Sequence, residues 1–274
     1  MTTGTGSYHF PVGIRTVDVD RSGHWLAAGW RDFLATPRVS LVYGGVFAVV
    51  SALLSVGLIA AGLGSLVLPL AGGFVLLAPV LVVGLYDVSR RLERGGEISL
   101  RHVFGAFRDN IGQLSAMGVV LLVIWFVWVE IAIVLFAIFF NQAPPPLDQF
   151  VEEVLFSLES APFLLIGSAL GATLAAAIFT VTAVSIPLLM DRPIDVVTAI
   201  GASILAVRAT WQVMFGGAAM IAVFTAAGVA VFFVGLAVAL PVLAYATWHA
   251  YRDLLEPDAP PIREEDGYVA GEGI

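Results

Sequence analysis

Long apolar runs alternate with short polar segments along most of the chain. A helix needs roughly 20 apolar residues to cross a bilayer. By this measure the pattern predicts six spans, at about residues 39–63, 66–88, 114–140, 162–190, 212–229 and 231–250. The last two share one apolar run from Val213 to Thr247, which is too long for a single helix, and we divide it near Gly228. The pattern therefore predicts an all-α, polytopic membrane bundle made of three helical hairpins.

An amphipathic segment precedes each hairpin. Ser22 is placed to cap the first of these helices, Ser99 is placed to cap the second, and Pro193 suits the first turn of the third. We predict that the three helices lie in the membrane interface, where tryptophan rings are favoured. The predicted interfacial anchors are Trp25, Trp30 and Trp248.

The first and third hairpins end alike. The matching segments are Pro79-Val80-Leu81 with Pro241-Val242-Leu243, followed at one shared offset by Tyr86 with Trp248, Asp87 with His249 and Arg90 with Arg252. This similarity favours a pseudo-threefold repeat of interfacial helix, span, turn and span. The alternative is that apolar helices of simple composition align easily and that aromatic residues beside arginine are common at interfaces.

All 13 basic residues are arginines, and all fall on one side of the predicted topology. The positive-inside rule places that side in the cytoplasm. We therefore predict a multi-pass protein of the bacterial inner membrane with both termini cytoplasmic. A mobile segment (1–21) and a disordered acidic tail (257–274) would flank the membrane domain (22–256). The acidic loop around Glu152 and Glu153 would face outward.

Composition limits the function classes. The chain is 59% hydrophobic and 12% charged, with more apolar surface than a soluble domain of 274 residues needs. It has no cysteine, which excludes disulfides, thiolate nucleophiles and cysteine-based metal sites. No phosphate-binding loop, dinucleotide loop or nucleophile motif occurs. We predict no enzyme activity, no cofactor and no metal, and the net charge of −8 argues against nucleic acid.

Glu130 is the one ionisable residue deep inside a predicted span. A charge at that depth is costly, which makes Glu130 a candidate intramembrane polar site for a proton, a cation or a partner subunit. The sequence offers no basic residue at matching depth, and only hydroxyls such as Thr173, Thr180 and Thr182. The alternative is a protonated carboxyl that is hydrogen-bonded to a neighbouring helix.

Three polar residues lie at the predicted cytoplasmic ends of spans two, four and six: Asp87, Asp191 and His249. If the repeat holds, they converge near its axis, where two carboxylates and an imidazole are able to bind a metal. Polar helix ends that face water are the commoner explanation. A basic belt lies beside them and is a candidate contact for anionic lipid headgroups or an acidic partner; it comprises Arg90, Arg91, Arg94, Arg101 and Arg108.

Gly167 and Gly171 are spaced four residues apart in the fourth predicted span. Small residues at this spacing let two helices approach closely, either inside one chain or between two copies. Internal packing is the commoner use of such a pair.

Four stretches carry a family resemblance: Gly29-Trp30-Arg31-Asp32, residues 68–91, residues 185–192 and residues 247–253. They resemble a family of bacterial integral-membrane proteins defined only as a domain of unknown function. The resemblance covers about residues 14–256. It implies six spans and inner-membrane residence, and it carries no activity, cofactor or catalytic residue.

Two hypotheses from different classes fit these observations. The first is a non-catalytic accessory, assembly or stabilising subunit of a larger respiratory or photosynthetic membrane complex. Its partners would be the bilayer with its anionic phospholipids, and either another membrane protein or a second copy. The second is a small transporter or channel with Glu130 on the path, although transporters usually carry more polar residues within their spans.

Overall fold

A computed structural model describes residues 13–64, 67, 70, 77–108, 110–140, 157–158 and 160–255. Within this part of the chain the helices are α1 (Arg21–Ala35), α2 (Pro37–Ala60), α3 (Val83–Arg94), α4 (Leu100–Gly105), α5 (Ile111–Phe139), α6 (Ala161–Thr182), α7 (Ser185–Asp191), α8 (Val196–Ala209), α9 (Trp211–Ala230) and α10 (Leu236–Leu254). Before α1 the chain is extended, and Ile14 forms an isolated antiparallel bridge with Leu255. The predicted tail and the acidic loop around Glu152 lie outside the described residues.

Among the described residues, four helical segments are long and apolar enough to cross a membrane: α2, α5, α6 continued through α7, and α9. Their mean hydropathy is 2.0 to 2.9, and they match the first, third, fourth and fifth predicted spans. The second predicted span lies partly outside the described residues. The sixth corresponds to α10, whose last two turns are polar. The all-helical membrane class is thus confirmed, while the six-span count and the repeat stay predictions.

The buried core lies at one end of these helices. We call this end, formed by α1, α3, α7 and the last two turns of α10, the polar end. Its largest fully buried side chains include Trp248, Tyr251, Leu85 and Ile186. By contrast, only 6% to 17% of each span is buried inside the protein. The spans therefore present most of their apolar surface outward, where a bilayer or another protein covers it.

Helix α1 lies across α10 with little space between the two backbones. A Cβ added at Gly29 would lie 2.5 Å from the carbonyl oxygen of Val242 and 2.7 Å from the backbone nitrogen of Ala246. Only glycine permits this approach. One side of α1 thereby meets the polar last turns of α10, and the other side meets its apolar middle.

The hairpin turn predicted near Gly228 is wrong by several residues. Gly228 remains helical and packs against Leu236, whereas the turn occupies residues 231–235. Phe232 and Phe233 adopt positive φ angles of 52° and 65° there. The sequence is apolar throughout this stretch, the left-handed residues are phenylalanines, and the one glycine of the turn, Gly235, is its last residue, so the local signal for the turn is weak.

Two of the three predicted helix starts are also corrected. Helix α1 begins at Arg21, and Ser22 lies in its first turn beside Gly216 of α9. Helix α8 begins after Asp195, which caps it by accepting a hydrogen bond from the Thr198 backbone N–H at 2.9 Å, so Pro193 precedes the helix. The predicted cap at Ser99 is confirmed, since its side chain accepts from the backbone N–H of His102.

Candidate functional site

A fully buried carboxylate, Asp87, anchors the polar end. Arg90 donates to its Oδ1 from Nη2 at 2.6 Å, and Arg91 donates to its Oδ2 from Nε at 2.6 Å. Both arginines lie on α3 one turn beyond Asp87, the spacing that brings side chains together on a helix. Arg90 also donates from Nη1 to the Met190 carbonyl at 3.2 Å, which ties α3 to α7. The burial cost of the carboxylate is thus offset by two charge-assisted contacts.

Asp191, at the end of α7, joins three helices. Its Oδ2 accepts a hydrogen bond from the Tyr251 hydroxyl at 2.8 Å, and its Oδ1 accepts from Arg94 Nη2 at 3.2 Å. Arg252 Nη1 lies 3.8 Å from Oδ2. Burial of the phenol first, and the Asp191 carboxylate second, raise the pKa of Tyr251 above its ordinary value. The hydroxyl therefore keeps its proton and acts as a donor at neutral pH.

His249 lies between two carboxylates on different helices. Its Nε2 is 2.9 Å from Asp32 Oδ2 on α1, and its Nδ1 is 4.0 Å from Glu93 Oε1 on α3. The Ser89 hydroxyl donates to the same Asp32 oxygen at 2.6 Å. Glu93 also accepts from the Trp248 indole at 3.0 Å. The imidazole thereby connects α1, α3 and α10.

We call these groups the polar network; it comprises Asp32, Asp87, Ser89, Arg90, Arg91, Glu93, Arg94, Asp191, Trp248, His249, Tyr251 and Arg252. Its four carboxylates face four arginines and one histidine. Among the described residues no group of three or more His, Cys, Asp or Glu side chains is placed to hold a metal ion. The network joins helices: each carboxylate accepts hydrogen bonds or forms ion pairs with side chains from a neighbouring turn or helix.

The structure brings the three sequence-predicted helix-end residues into this one network without making them share a partner. Asp87, Asp191 and His249 each contact different groups. Asp32 and Glu93, which contact His249, were not among the sequence-predicted site residues. For Glu93 the available sequence signal was its position four residues after Ser89, which places both side chains on one face of α3. For Asp32 the only signal was its place in the Gly29–Asp32 stretch.

The three predicted interfacial tryptophans have different surroundings. Trp248 is fully buried, and Trp25, also buried, donates its indole N–H to Asp253 Oδ2 at 2.8 Å. Trp30 is 46% exposed and stacks on Phe33. Trp25 and Trp248 therefore pack inside the protein, and of the three only Trp30 presents its ring to the surroundings.

The basic belt divides in two. Arg90, Arg91 and Arg94 are held by carboxylates of the polar network. Arg101 and Arg108 are exposed, and neither forms an ion pair within the described part of the chain. The prediction of headgroup contact is therefore left with Arg101 and Arg108.

Glu130 lies on the outward face of α5. Its side chain is exposed, and no hydrogen bond or ion pair reaches it from the described residues. The opposite face of α5 packs on α6, where Trp128 lies 3.3 Å from a Cβ added at Gly171, and Leu135 lies 3.8 Å from one added at Gly167. Both glycines thus face α5 inside the chain, and Glu130 faces away from it.

Comparison with known proteins agrees with this architecture at the level of class. No curated protein and no solved structure matches the chain. The resemblance to an integral-membrane family of unknown function is confirmed over a little under half of the chain: residues 67–191 match the family described as a predicted integral membrane protein (DUF2189).

Proposed function

We propose that the chain is a non-catalytic accessory, assembly or stabilising subunit of a larger complex in the bacterial inner membrane, of respiratory or photosynthetic type. Six spans in three hairpins, with both termini in the cytoplasm, are part of the proposal. The arginine distribution and the family match over residues 67–191 support membrane residence. The observation that carries the proposal is the outward position of Glu130 in the middle of α5.

Around Glu130 the outward face of α5 is apolar. The side chains that surround Glu130 on the face are exposed at helical spacing: Val123, Phe126, Val127, Ile133 and Val134. A charged residue at the centre of a lipid-facing helix costs about 2.5–3.5 kcal/mol. A partner that supplies a hydrogen-bond donor removes much of this cost, whereas lipid tails supply none.

No side chain of the described residues supplies that donor to Glu130. The hydroxyls suggested by the sequence are used within α6: Thr173 donates to the Ala169 carbonyl at 2.8 Å, and Thr180 donates to the Ala176 carbonyl at 2.7 Å. Arginine, the chain's only basic residue type besides histidine, is absent from α5, α6 and α9. We therefore infer that the donor belongs to another membrane protein.

Site-specific photocrosslinking in the native membrane tests this proposal. A photoreactive residue at Val127 or Val134 flanks Glu130 on the same face, and one at Leu53 on α2, which is 68% exposed, is the matched control. We expect Val127 and Val134 to crosslink to one shared membrane protein, with a lower yield after Glu130→Ala and no such product from Leu53. Lipid adducts alone at both positions, or crosslinks only to a second copy of this chain, would refute the accessory-subunit proposal.

Transport remains the alternative function for Glu130. A path through this chain requires the carboxyl to face other spans of the bundle, and its outward position favours a contact between proteins. Proton flux into vesicles that contain the purified chain distinguishes transport from an accessory-subunit function. Flux that is abolished by Glu130→Gln in a folded protein would favour the transporter.

A further inference from the structure

An apolar groove of about 580 Å³ lies between α1, α9 and α10. Its volume falls in the range of about 300–1,000 Å³ that is usual for small-molecule sites. All thirteen lining residues are apolar, and six of them are glycine or alanine, so the groove exists where large side chains are missing. Trp30 lines the part formed by α1, and Phe224 and Ala227 line the part formed by α9. Such a lining accommodates a hydrocarbon chain, and its one side-chain hydrogen-bond donor is the indole of Trp30.

The groove lies on the membrane side of α1. One side of α1 meets the polar turns of α10, through Trp25 with Asp253 and Asp32 with His249. The opposite side, with Trp30, faces the apolar residues of α10 between Gly235 and Leu243. The groove therefore begins at the level of the polar end and extends alongside α9, a candidate span.

Two unpaired cations lie at the same level. Arg31 follows Trp30 on α1, and Arg38 is in the first turn of α2. Ser40 is hydrogen-bonded to Tyr245 at 2.7 Å, which places the start of α2 level with the part of α10 that α1 crosses. Both arginines are exposed, and neither forms an ion pair with the described residues. In this respect they differ from the arginines of the polar network.

We propose that this groove is a specific phospholipid site: it holds one acyl chain, and Arg31 and Arg38 bind the anionic headgroup. The apolar groove matches the acyl chain in polarity, and the two arginines match the headgroup in charge. The groove and the arginines also lie at the depths that an acyl chain and a headgroup occupy. The proposal does not depend on the accessory-subunit function, because it concerns a different face of the molecule.

A photoactivatable lipid identifies the occupant directly. The full-length chain is reconstituted in phosphatidylcholine vesicles with a trace of phosphatidylglycerol that carries a diazirine near the end of one acyl chain. We expect the label on residues 224–231, at the end of α9 and the start of the turn, or on residues 235–243, at the end of the turn and the start of α10. Labelling spread evenly over the outward faces of α2, α5 and α9 would show bulk lipid only and overturn the proposal.

Variants separate the two halves of the site. Ala27→Phe and Ala227→Phe each place a ring in the groove from an exposed position, and Ala172→Phe on the outward face of α6 is the control. We expect both groove variants to lose most of the groove label and the control to keep it. Unchanged labelling in both groove variants, or a crosslinked dimer in place of a lipid adduct, would refute the site.

Charge removal tests the headgroup assignment. Each cation near an anionic lipid surface contributes about a fivefold gain in affinity. We therefore expect the double variant Arg31→Gln with Arg38→Gln to lower the preference for phosphatidylglycerol over phosphatidylcholine, measured by competition with the photolipid, about 25-fold. Arg208→Gln, at an exposed arginine of α8, should leave this preference unchanged. An equal loss in the Arg208→Gln control would show that net charge alone attracts the lipid and would overturn the headgroup assignment.

Discussion

Replacing Gly29 by alanine tests whether the contact between α1 and α10 holds the polar network together. The new methyl carbon would lie 2.5 Å from the Val242 oxygen and 2.7 Å from the Ala246 nitrogen. Non-bonded heavy atoms prefer about 3.5–4.0 Å, and both neighbours are backbone atoms that cannot rotate away. Helix α1 must therefore shift by roughly 1 Å.

The expected loss of stability follows from two contributions. Overpacking of this kind costs about 1–3 kcal/mol. The shift also stretches the contact of His249 with Asp32, and hydrogen bonds to charged groups contribute about 1.5–3 kcal/mol. Because the two side chains are partly exposed, we expect only part of that, and a total of about 2–4 kcal/mol.

Thermal unfolding of the purified chain in mild detergent measures this loss. At about 2–4 °C per kcal/mol, Gly29→Ala should lower the Tm by about 4–16 °C. Gly23→Ala, on the same helix, is the matched control, since nothing lies within 4 Å of its added Cβ. The control should be neutral or raise the Tm, because alanine stabilises helix interiors by about 0.5–1 kcal/mol relative to glycine. Equal Tm values for the two variants would refute the close-contact explanation.

Three further predictions concern other contacts. Asp87→Asn leaves two arginines without their buried counter-charge and should cost about 3–5 kcal/mol in unfolding titrations; a loss below about 1 kcal/mol would contradict the buried ion pairs. Gly44→Ala, whose Cβ would collide with the backbone of α10, should destabilise α2, whereas its neighbour Gly45→Ala, which has open space, should not; a reversed order of Tm values would refute this packing. Hydrogen bonds from Thr198 lower the pKa of Asp195, so its stabilising effect is present above the ordinary carboxyl pKa of about 4 and is lost as pH falls through the lowered value. Asp195→Ala should therefore lower the Tm at pH 7 and have a smaller effect at low pH, with Asp195→Ser as the capping control; a pH-independent difference would count against this account.

The sequence predicts the helical membrane class well because hydropathy acts locally. Four of the six predicted spans match candidate membrane helices within a few residues. The turn at residues 231–235 was misplaced because apolar residues occupy both the helices and the turn. The contact of His249 with Asp32 joins residues 217 positions apart, and no local pattern encodes such a pairing. Likewise, a tryptophan beside a predicted span has the same sequence signature whether its ring is exposed, as that of Trp30 is, or buried and hydrogen-bonded to a carboxylate, as that of Trp248 is.

The packing of α1 against α10, which closes the core, has a consequence for biosynthesis. Trp25 and Asp253 are 228 residues apart, so α1 has emerged long before the helix it packs against exists. At about 5–20 residues per second, translation separates the two by roughly 10–45 s. During that interval the spans can enter the bilayer one after another. Gly29 of α1 and the carboxylate of Asp87 meanwhile lack part of their final surroundings. Membrane insertion and core formation are thereby separated in time, and the nascent chain is most exposed to quality-control proteases just before α10 is complete.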